Sequence, residues 1–478
     1  MMSHQKMLIG GHLVGAEEWL PVLNPYTGEP VDRVARGGAM HVDQAVALAR
    51  YGAEMMREIP LSQRATILKH VAELIRQERQ SLATLLTSET GKLISESRIE
   101  VERAAMVFEL AAEACHHPRA TQFPPESFTD GASRFGFWAR EPLGVVASIL
   151  AFNLPLAHAA QKAAPAIAAG NAIILKPSTE APLTVLRLGL LLYRAGVPPE
   201  ALSVLTGKGE EIGHALAAHP LVAALTFTGS RAVGLSLPLH AGAKRIEMEL
   251  DTLGGLVATE SADPEVVAEV VACCGYMAAG QLPTSIQHVW AHEHIYDSLA
   301  QTLVQRLANL RYGDPMQEST SLPPLIHPQA LQRVDQLVRD ALQQGARALI
   351  GAQAEPPFYM PTVLTDLPEN ATLHSEAVFG PVVLLHRYRN HAELLKHINS
   401  LAIGLRLAIF TRDIVEAFEL ARRARALSVH INDTPLLPID PILRGDLQEH
   451  HMCFEDMLQR IERLSQPKYI GFGKMTLS

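Results

Sequence analysis

Between residues 145 and 227, four short runs of Val, Ile, Leu and Ala alternate with three helix-length segments. No other feature of the chain limits its fold so tightly. The runs are 145–150, 172–175, 202–205 and 223–227, and the segments between them are 157–169, 183–195 and 210–217. Near-continuous apolar strands joined by helices form parallel sheets, because each crossover helix covers a sheet face. Ligands on such sheets collect at the carboxyl ends of the strands. A second alternating stretch runs from 256 to 431. It predicts helices over 263–278, 294–310, 329–344 and 413–426, and strands over 285–290, 381–386 and 407–410. The fold class is therefore α/β. Upstream, Ile67, Leu68, Val71, Leu74 and Ile75 make a one-face stripe inside a helical pattern over 42–86. Thr90-Gly91 reads as a helix stop, and further helices are expected over 99–114 and 454–464. Residues 119–133, rich in Pro, Ser, Thr and Gly, read as an excursion from the core.

Composition removes several function classes. Of the 478 residues, 48% are apolar and 19% charged, which is a large globular chain and not a disordered one. Lys and Arg number 41 against 50 Asp and Glu, a net charge of −9. That balance argues against a nucleic-acid partner held by a basic surface. Cys115, Cys273, Cys274 and Cys453 are too few and too scattered for a disulfide framework, so a reducing compartment is expected. No run reaches the ~18 apolar residues of a membrane helix. The best candidate, 181–197, is broken by Arg187 and Arg194. The apolar start at Met7-Leu8-Ile9 is too short for a signal peptide. A soluble, cytoplasmic protein with no membrane partner is expected.

Four local features follow strand ends. Asn153, in Ala151-Phe152-Asn153-Leu154-Pro155, can offer an amide donor to a developing oxyanion, or it can simply cap the next helix. Lys176 and Ser178 can hold a ribose or phosphate, or sit in a solvated loop. In Phe227-Thr228-Gly229-Ser230, Ser230 is placed to cap a helix starting near Arg231, whose free N–H groups form an anion site. Gly207-Lys208-Gly209 adds a glycine-rich loop without a full dinucleotide fingerprint.

Together and in this order, these features resemble the aldehyde dehydrogenase superfamily. The resemblance spans the chain. It includes Asn24-Pro25-Tyr26-Thr27-Gly28, Glu89-Thr90-Gly91-Lys92, Glu141-Pro142-Leu143-Gly144, Ala169-Gly170-Asn171, Phe379-Gly380-Pro381, Phe410-Thr411-Arg412-Asp413 and Asn432-Asp433. It implies a Rossmann-type cofactor domain over 1–118 and 137–249. A catalytic-type α/β domain would follow over 250–440, with an oligomerisation element from 119–136 and 441–478. It also implies NAD or NADP bound through Lys176, Ser178, Gly209, Gly229, Ser230 and Phe379. The stretch around 140–144 and Asn432-Asp433 look most like the branch that oxidises small hydroxylated or phosphorylated aldehydes. In the family a cysteine thiolate attacks the aldehyde. The Asn amide and the cysteine's own N–H hold the oxyanion, hydride passes to the nicotinamide, and a glutamate activates water.

Here the chain departs from the pattern. The family's Gly-Gln-x-Cys reads Gly280-Gln281-Leu282-Pro283, so Pro283 stands at the nucleophile position. Proline has neither a nucleophilic side chain nor a backbone N–H. Cys273 and Cys274 lie ten and nine positions earlier. Nine positions of helix are ~13 Å, too far to replace the thiol. Thr284 and Ser285 are expected to point elsewhere. Glu249 keeps the glutamate position, with Asp251-Thr252 in place of two nicotinamide-facing glycines. A rival register aligns Gly254-Gly255 with those glycines but needs two compensating indels. Ala377 replaces the ribose-binding Glu, and Thr179 stands where NAD-preferring members carry another. The family's Pro-Phe-Gly-Gly loop becomes Pro441-Ile442-Leu443-Arg444-Gly445-Asp446. Glu449, His450, His451 and Cys453 could be drawn as metal ligands, but a polar surface turn explains them and no metal is expected.

The expectation is a pseudoenzyme with a scaffolding, regulatory or ligand-binding role, its affinity for NAD or NADP weakened or lost. The alternative is hydride transfer between NAD(P) and a small aldehyde without a cysteine, using Asn153 and Glu249. Strand edges in the oligomerisation element need covering. A homodimer or homotetramer, or a mixed assembly with an active paralogue, is expected.

Overall fold

The computed structural model describes residues 4–117, 121–123, 135–368, 371–401, 404–434 and 457–472. The expected strands assemble into a seven-stranded sheet. Its spatial order is Arg245–Leu250, Val222–Gly229, Val145–Ile149, Ala172–Lys176, Leu202–Val204, Met7–Ile9 and His12–Val14. The first five strands run parallel, and the last two are antiparallel additions. In chain order the run turns back between Val145–Ile149 and Val222–Gly229. That switch point opens a crevice beyond the two strand ends, where Asn153 and Ser230 follow.

The helix Pro155–Ala169 beneath this sheet is buried along its whole length. Small alanines let it pack closely, but burial leaves its first N–H groups needing partners. Glu100, on Ile94–Ala114, accepts from Leu156 N (2.9 Å) and Ala157 N (3.1 Å). Lys92 neutralises Glu100, with both side chains buried, and donates to Asn153 O at 2.6 Å. Glu89 does the same for the helix Leu183–Ala195, accepting from Leu183 N (2.7 Å) and Thr184 N (2.9 Å). Between them Gly91 ends its helix at φ +74°, the stop expected at Thr90-Gly91. The tetrapeptide 89–92 thus supplies one helix cap, one turn and the counter-ion of a second cap.

A second seven-stranded sheet has the order Arg347–Ile350, Thr362–Thr365, Val382–Tyr388, Ile286–His292, Leu253–Ala258, Leu405–Phe410 and Ser428–Ile431. It is parallel except for its first pair. One expectation changes: the helical stretch over 42–86 is three helices, Ala39–Glu58, Leu61–Gln77 and Arg79–Thr90, with Pro60 interrupting the backbone ladder at the first break and Glu78 leaving helical geometry at the second. Within the chain, Thr121–Phe123 and Ser465–Phe472 both pair with Phe135–Pro142 and make a three-stranded antiparallel sheet. The C-terminal helix is described over Met457–Arg463. No described helix is long and apolar enough to cross a membrane.

Candidate functional site

A cavity of about 840 Å³ lies between the carboxyl ends of the first sheet and the amino ends of Leu253–Ala258 and Ile286–His292. Asn153, Lys176, Ser178, Gly209, Gly229, Ser230, Glu249, Pro283 and Phe379 all line it. Nine positions spread over 226 residues of sequence therefore meet in one space.

At one end the loop to Pro283 is held rigidly. Ala278, Ala279 and Gly280 are left-handed in succession, at φ +49°, +53° and +74°. The two alanines sit where a Cβ is normally penalised, so the surroundings must hold them there. Glu96 accepts from Ala278 N at 2.8 Å, and Gln281 Oε1 accepts from Ile326 N at 3.0 Å. A Cβ on Gly280 would meet Gly380 O at 2.0 Å, which is why a glycine precedes Gln281. Asn153 Nδ2 donates to Gln281 O at 3.0 Å, two residues short of Pro283, while its Oδ1 is buried without a partner. Thr252 Oγ1 donates to Pro283 O at 2.5 Å. The proline ring sits at the cavity wall with no hydrogen to give an oxyanion.

Glu249 is the penultimate residue of the strand Arg245–Leu250, in register with Thr228. Its carboxylate accepts from Thr228 Oγ1, Lys162 Nζ and Arg460 Nη2, each at 3.0 Å. Arg460 arrives from the C-terminal helix Met457–Arg463. A carboxylate shared by two cations and a hydroxyl has three of its roughly four lone-pair sites engaged and is badly placed to activate water.

The opposite end suits an adenosine. Gly209 is an open cradle, since a Cβ there would find only Lys176 Nζ, at 3.9 Å. Ser178 bonds to Glu180, and Thr179 Oγ1 donates to Gly207 O at 3.3 Å. Burial lowers the Lys176 ammonium to about 8, with Glu180 opposing that shift. Lys176 is therefore charged below pH 8 and loses its charge as pH rises through it. Affinity for adenosine 2′,5′-bisphosphate, measured calorimetrically, should fall about tenfold between pH 7 and pH 9 as that charge-assisted contact is lost.

The middle of the cavity is altered. The helix Arg231–Ala241 starts where expected, but Ser230 makes no capping bond. The Asp251 carboxyl lies close to Arg231 N, against the helix N-terminus assigned to a ligand phosphate. Burial pushes the Asp251 carboxyl up to about 6, with Arg231 N–H and then Arg333 drawing it back down. Ala377 also lines the cavity. Its neighbour Glu376 turns to Arg333 (2.5 Å), whose guanidinium also donates to Ala377 O (2.9 Å) and Val378 O (2.7 Å). Phe379 is left-handed at φ +49°. Gly254 and Gly255 are outside the cavity lining. They lie in the strand Leu253–Ala258, where a Cβ would meet Ser285 O at 2.1 Å and the Trp290 ring at 2.7 Å.

Thr284 corrects the sequence reading. Residues 283–284 form a turn, not an extended segment, and Thr284 faces the cavity. Among the described residues no cysteine lines it. Cys274 packs on Thr434 (3.1 Å), and burial pushes the Cys115 thiol up to about 11. Arg460 was missed because nothing in sequence ties residue 460 to residue 249; only the tertiary fold does. Cys453, Glu449, His450, His451 and the loop 441–446 lie outside the described residues.

Comparison with known proteins now adds to the geometry. A model of the Aldehyde dehydrogenase family matches residues 13–443. The 3-sulfolactaldehyde dehydrogenase of Priestia aryabhattai is 31% identical over 464 residues, covering 97% of each chain. The structure of aldehyde dehydrogenase 21 from Physcomitrella patens, in complex with the reaction product succinate, superposes with a TM-score of 0.95 at 28% identity, covering 100% of both chains. Glyceraldehyde-3-phosphate dehydrogenase from Methanocaldococcus jannaschii, complexed with NADP, gives a TM-score of 0.91 at 30% identity, covering 95% of this chain and 99% of that one.

Proposed function

The chain belongs to the aldehyde dehydrogenase family, whose members oxidise aldehydes with a nicotinamide dinucleotide, and from that premise we propose that this member keeps the ligand cavity but has lost the covalent chemistry. One observation carries the reading. Pro283 lines the cavity beside Asn153 and Glu249, and it has neither a sulfur to attack with nor an N–H to stabilise what an attack would form. The role left is that of a pseudoenzyme, binding a ligand or regulating an active paralogue within a mixed assembly. The cofactor-type domain is proposed over 1–118 and 137–249, the catalytic-type domain over 250–440, and the oligomerisation element over 119–136 and 441–478.

The residues present fit the adenosine half of a dinucleotide better than its nicotinamide half. Lys176 and Ser178 would hold the ribose, and the open backbone at Gly209 and Gly229 would let the phosphates approach. Such a dinucleotide, when bound, supplies a hydride acceptor. Asp251 places a negative charge against that path. For the second ligand, Arg103 supports a small anionic aldehyde or acid. Its guanidinium is half-buried at the cavity wall, burial lowers its proton affinity, and it forms no ion pair among the described residues. Similar proteins include a 3-sulfolactaldehyde dehydrogenase, a glyceraldehyde-3-phosphate dehydrogenase and an aldehyde dehydrogenase in complex with succinate.

Hydride transfer without a cysteine is the competing reading. It needs Glu249 to move protons, and the three donors on that carboxylate oppose it. Titration with NAD and NADP, followed by melting temperature, tests binding. A panel of small anionic aldehydes tests turnover. Asp251→Gly should tighten dinucleotide binding about tenfold by removing an anion from a helix N-terminus. No NAD(P)H should form. Formation above background that disappears in Glu249→Ala would overturn the proposal.

A further inference from the structure

Behind the wall of the cavity, four histidines and one tryptophan pack together. His288 and Trp290 lie on Ile286–His292, and His386 lies beside Trp290 on the paired strand Val382–Tyr388. His397 comes from the helix His391–Ser400, and His374 ends the short turn Thr372–His374. The rings of His374, His386 and His397 are 4.8–5.7 Å apart between centroids. Each offers one nitrogen to a set in which all three lie within 4.8 Å of one another.

The hydrogen bonding of this cluster is incomplete. Both ring nitrogens of His374 are shut off from solvent, and neither has a partner. His288 Nε2 is in the same condition. Two buried nitrogens on one ring are costly unless something takes them up. The other rings are oriented from behind. His288 Nδ1 bonds His386 Nε2 at 3.1 Å, and Trp290 Nε1 donates to His397 Nδ1 at 3.2 Å. Supporting contacts of this kind fix imidazole orientation around metal centres.

We propose that His374, His386 and His397 form a binding site for a divalent transition-metal ion, with His288 as the positioning residue behind His386. An all-imidazole donor set selects zinc, cobalt, nickel or copper over magnesium and calcium. Tetrahedral coordination at ~2.1 Å places nitrogens about 3.4 Å apart. The donor nitrogens must therefore close by up to about 1.4 Å on loading. His397 presents its lone pair at Nδ1, so ligation either takes that lone pair from Trp290 or turns the ring over. The indole contact changes in both cases.

The site also reaches the cavity. Gln287 donates to Leu373 O (3.1 Å) and Glu376 O (2.9 Å) and accepts from Val378 N (2.9 Å). His374 thus rides on the segment whose next residues, Ser375 to Ala377, line the cavity. A metal there would pin that segment.

The test uses tag-free full-length protein and cobalt(II), with zinc(II) as competitor. One cobalt per chain should bind, with a visible ligand-field band displaced by zinc and a change in tryptophan emission. His374→Ala should weaken binding by more than about 100-fold, and His288→Ala by about 10- to 100-fold, the range for outer-shell partners. His294→Ala, in the exposed group Glu260, His292 and His294, should change nothing. Variant folding is checked by circular dichroism, and His374→Gln serves if the alanine variant is unfolded. No stoichiometric cobalt, or cobalt binding that survives the His374 substitutions, would overturn the assignment.

Discussion

With cysteine in place of Pro283, the protein will trap small aldehydes or their acyl groups covalently at that residue, while the wild type will form no adduct anywhere in the cavity. The substitution restores two things at one atom position, a thiol and a backbone N–H. The N–H matters because a lost oxyanion donor typically costs ~10² to 10³ in rate by itself. The loop is ready to receive the change. Gly280 stays against Gly380 O, Gln281 stays tied to Ile326 N, and the Asn153 amide already reaches Gln281 O at 3.0 Å. Intact mass measurement after incubation with aldehyde reads the adduct directly.

Turnover will lag behind adduct formation. Glu249 remains held by Lys162 and Arg460, so hydrolysis of a thioester has no free base. Adding Arg460→Leu to Pro283→Cys should release one of the two cations and raise steady-state NAD(P)H formation above the single variant. The single variant should show a burst and then stall. If Pro283→Cys gives no adduct although the protein is folded and its thiol reacts with iodoacetamide, the defect lies in the cavity as a whole and the weight placed on residue 283 is wrong. If the wild type itself forms an adduct, at Thr284 for instance, the pseudoenzyme reading fails.

Four parallel strands of the first sheet, Val145–Ile149, Ala172–Lys176, Leu202–Val204 and Val222–Gly229, were legible because they are apolar on both faces and joined by regular crossover helices. The fifth, Arg245–Leu250, is half-polar and carries no such signal. The helix stop at Gly91 was legible too, since the left-handed turn it makes is one that glycine adopts cheaply. What sequence could not supply was the identity of partners across long separations. Asp251 reads as bulk replacing a glycine, yet its role is set by Arg231 N, twenty residues earlier. Ser230 carries the sequence signal of a cap, yet its side chain makes no capping bond. The histidine cluster draws on residues 288, 374, 386 and 397, and no spacing rule links them. It exists only because two strands, a turn and a helix converge.

The largest stability effect expected in the molecule lies at Glu100, behind the site. Its carboxylate caps a fully buried helix through Leu156 N and Ala157 N and is neutralised by Lys92, whose side chain is 4% exposed against 1% for Glu100. Removing one member of a buried pair leaves the other charge without compensation, at about 3–5 kcal/mol. Lys92→Met should therefore lower the melting temperature by roughly 10 °C, given the size of a domain like this one. Glu100→Gln should do at least as much, because it also weakens acceptance of two helix N–H groups. The two changes made together should cost less than their sum, since the second removes the charge that the first left stranded. An additive result would mean that the pair is not coupled. Because Lys92 also donates to Asn153 O at 2.6 Å, either variant should loosen the loop that carries the Asn153 amide. In the Pro283→Cys background this should slow adduct formation even at temperatures where the fold is intact. A variant that lost stability but kept the full rate of adduct formation would separate the helix cap from the positioning of Asn153.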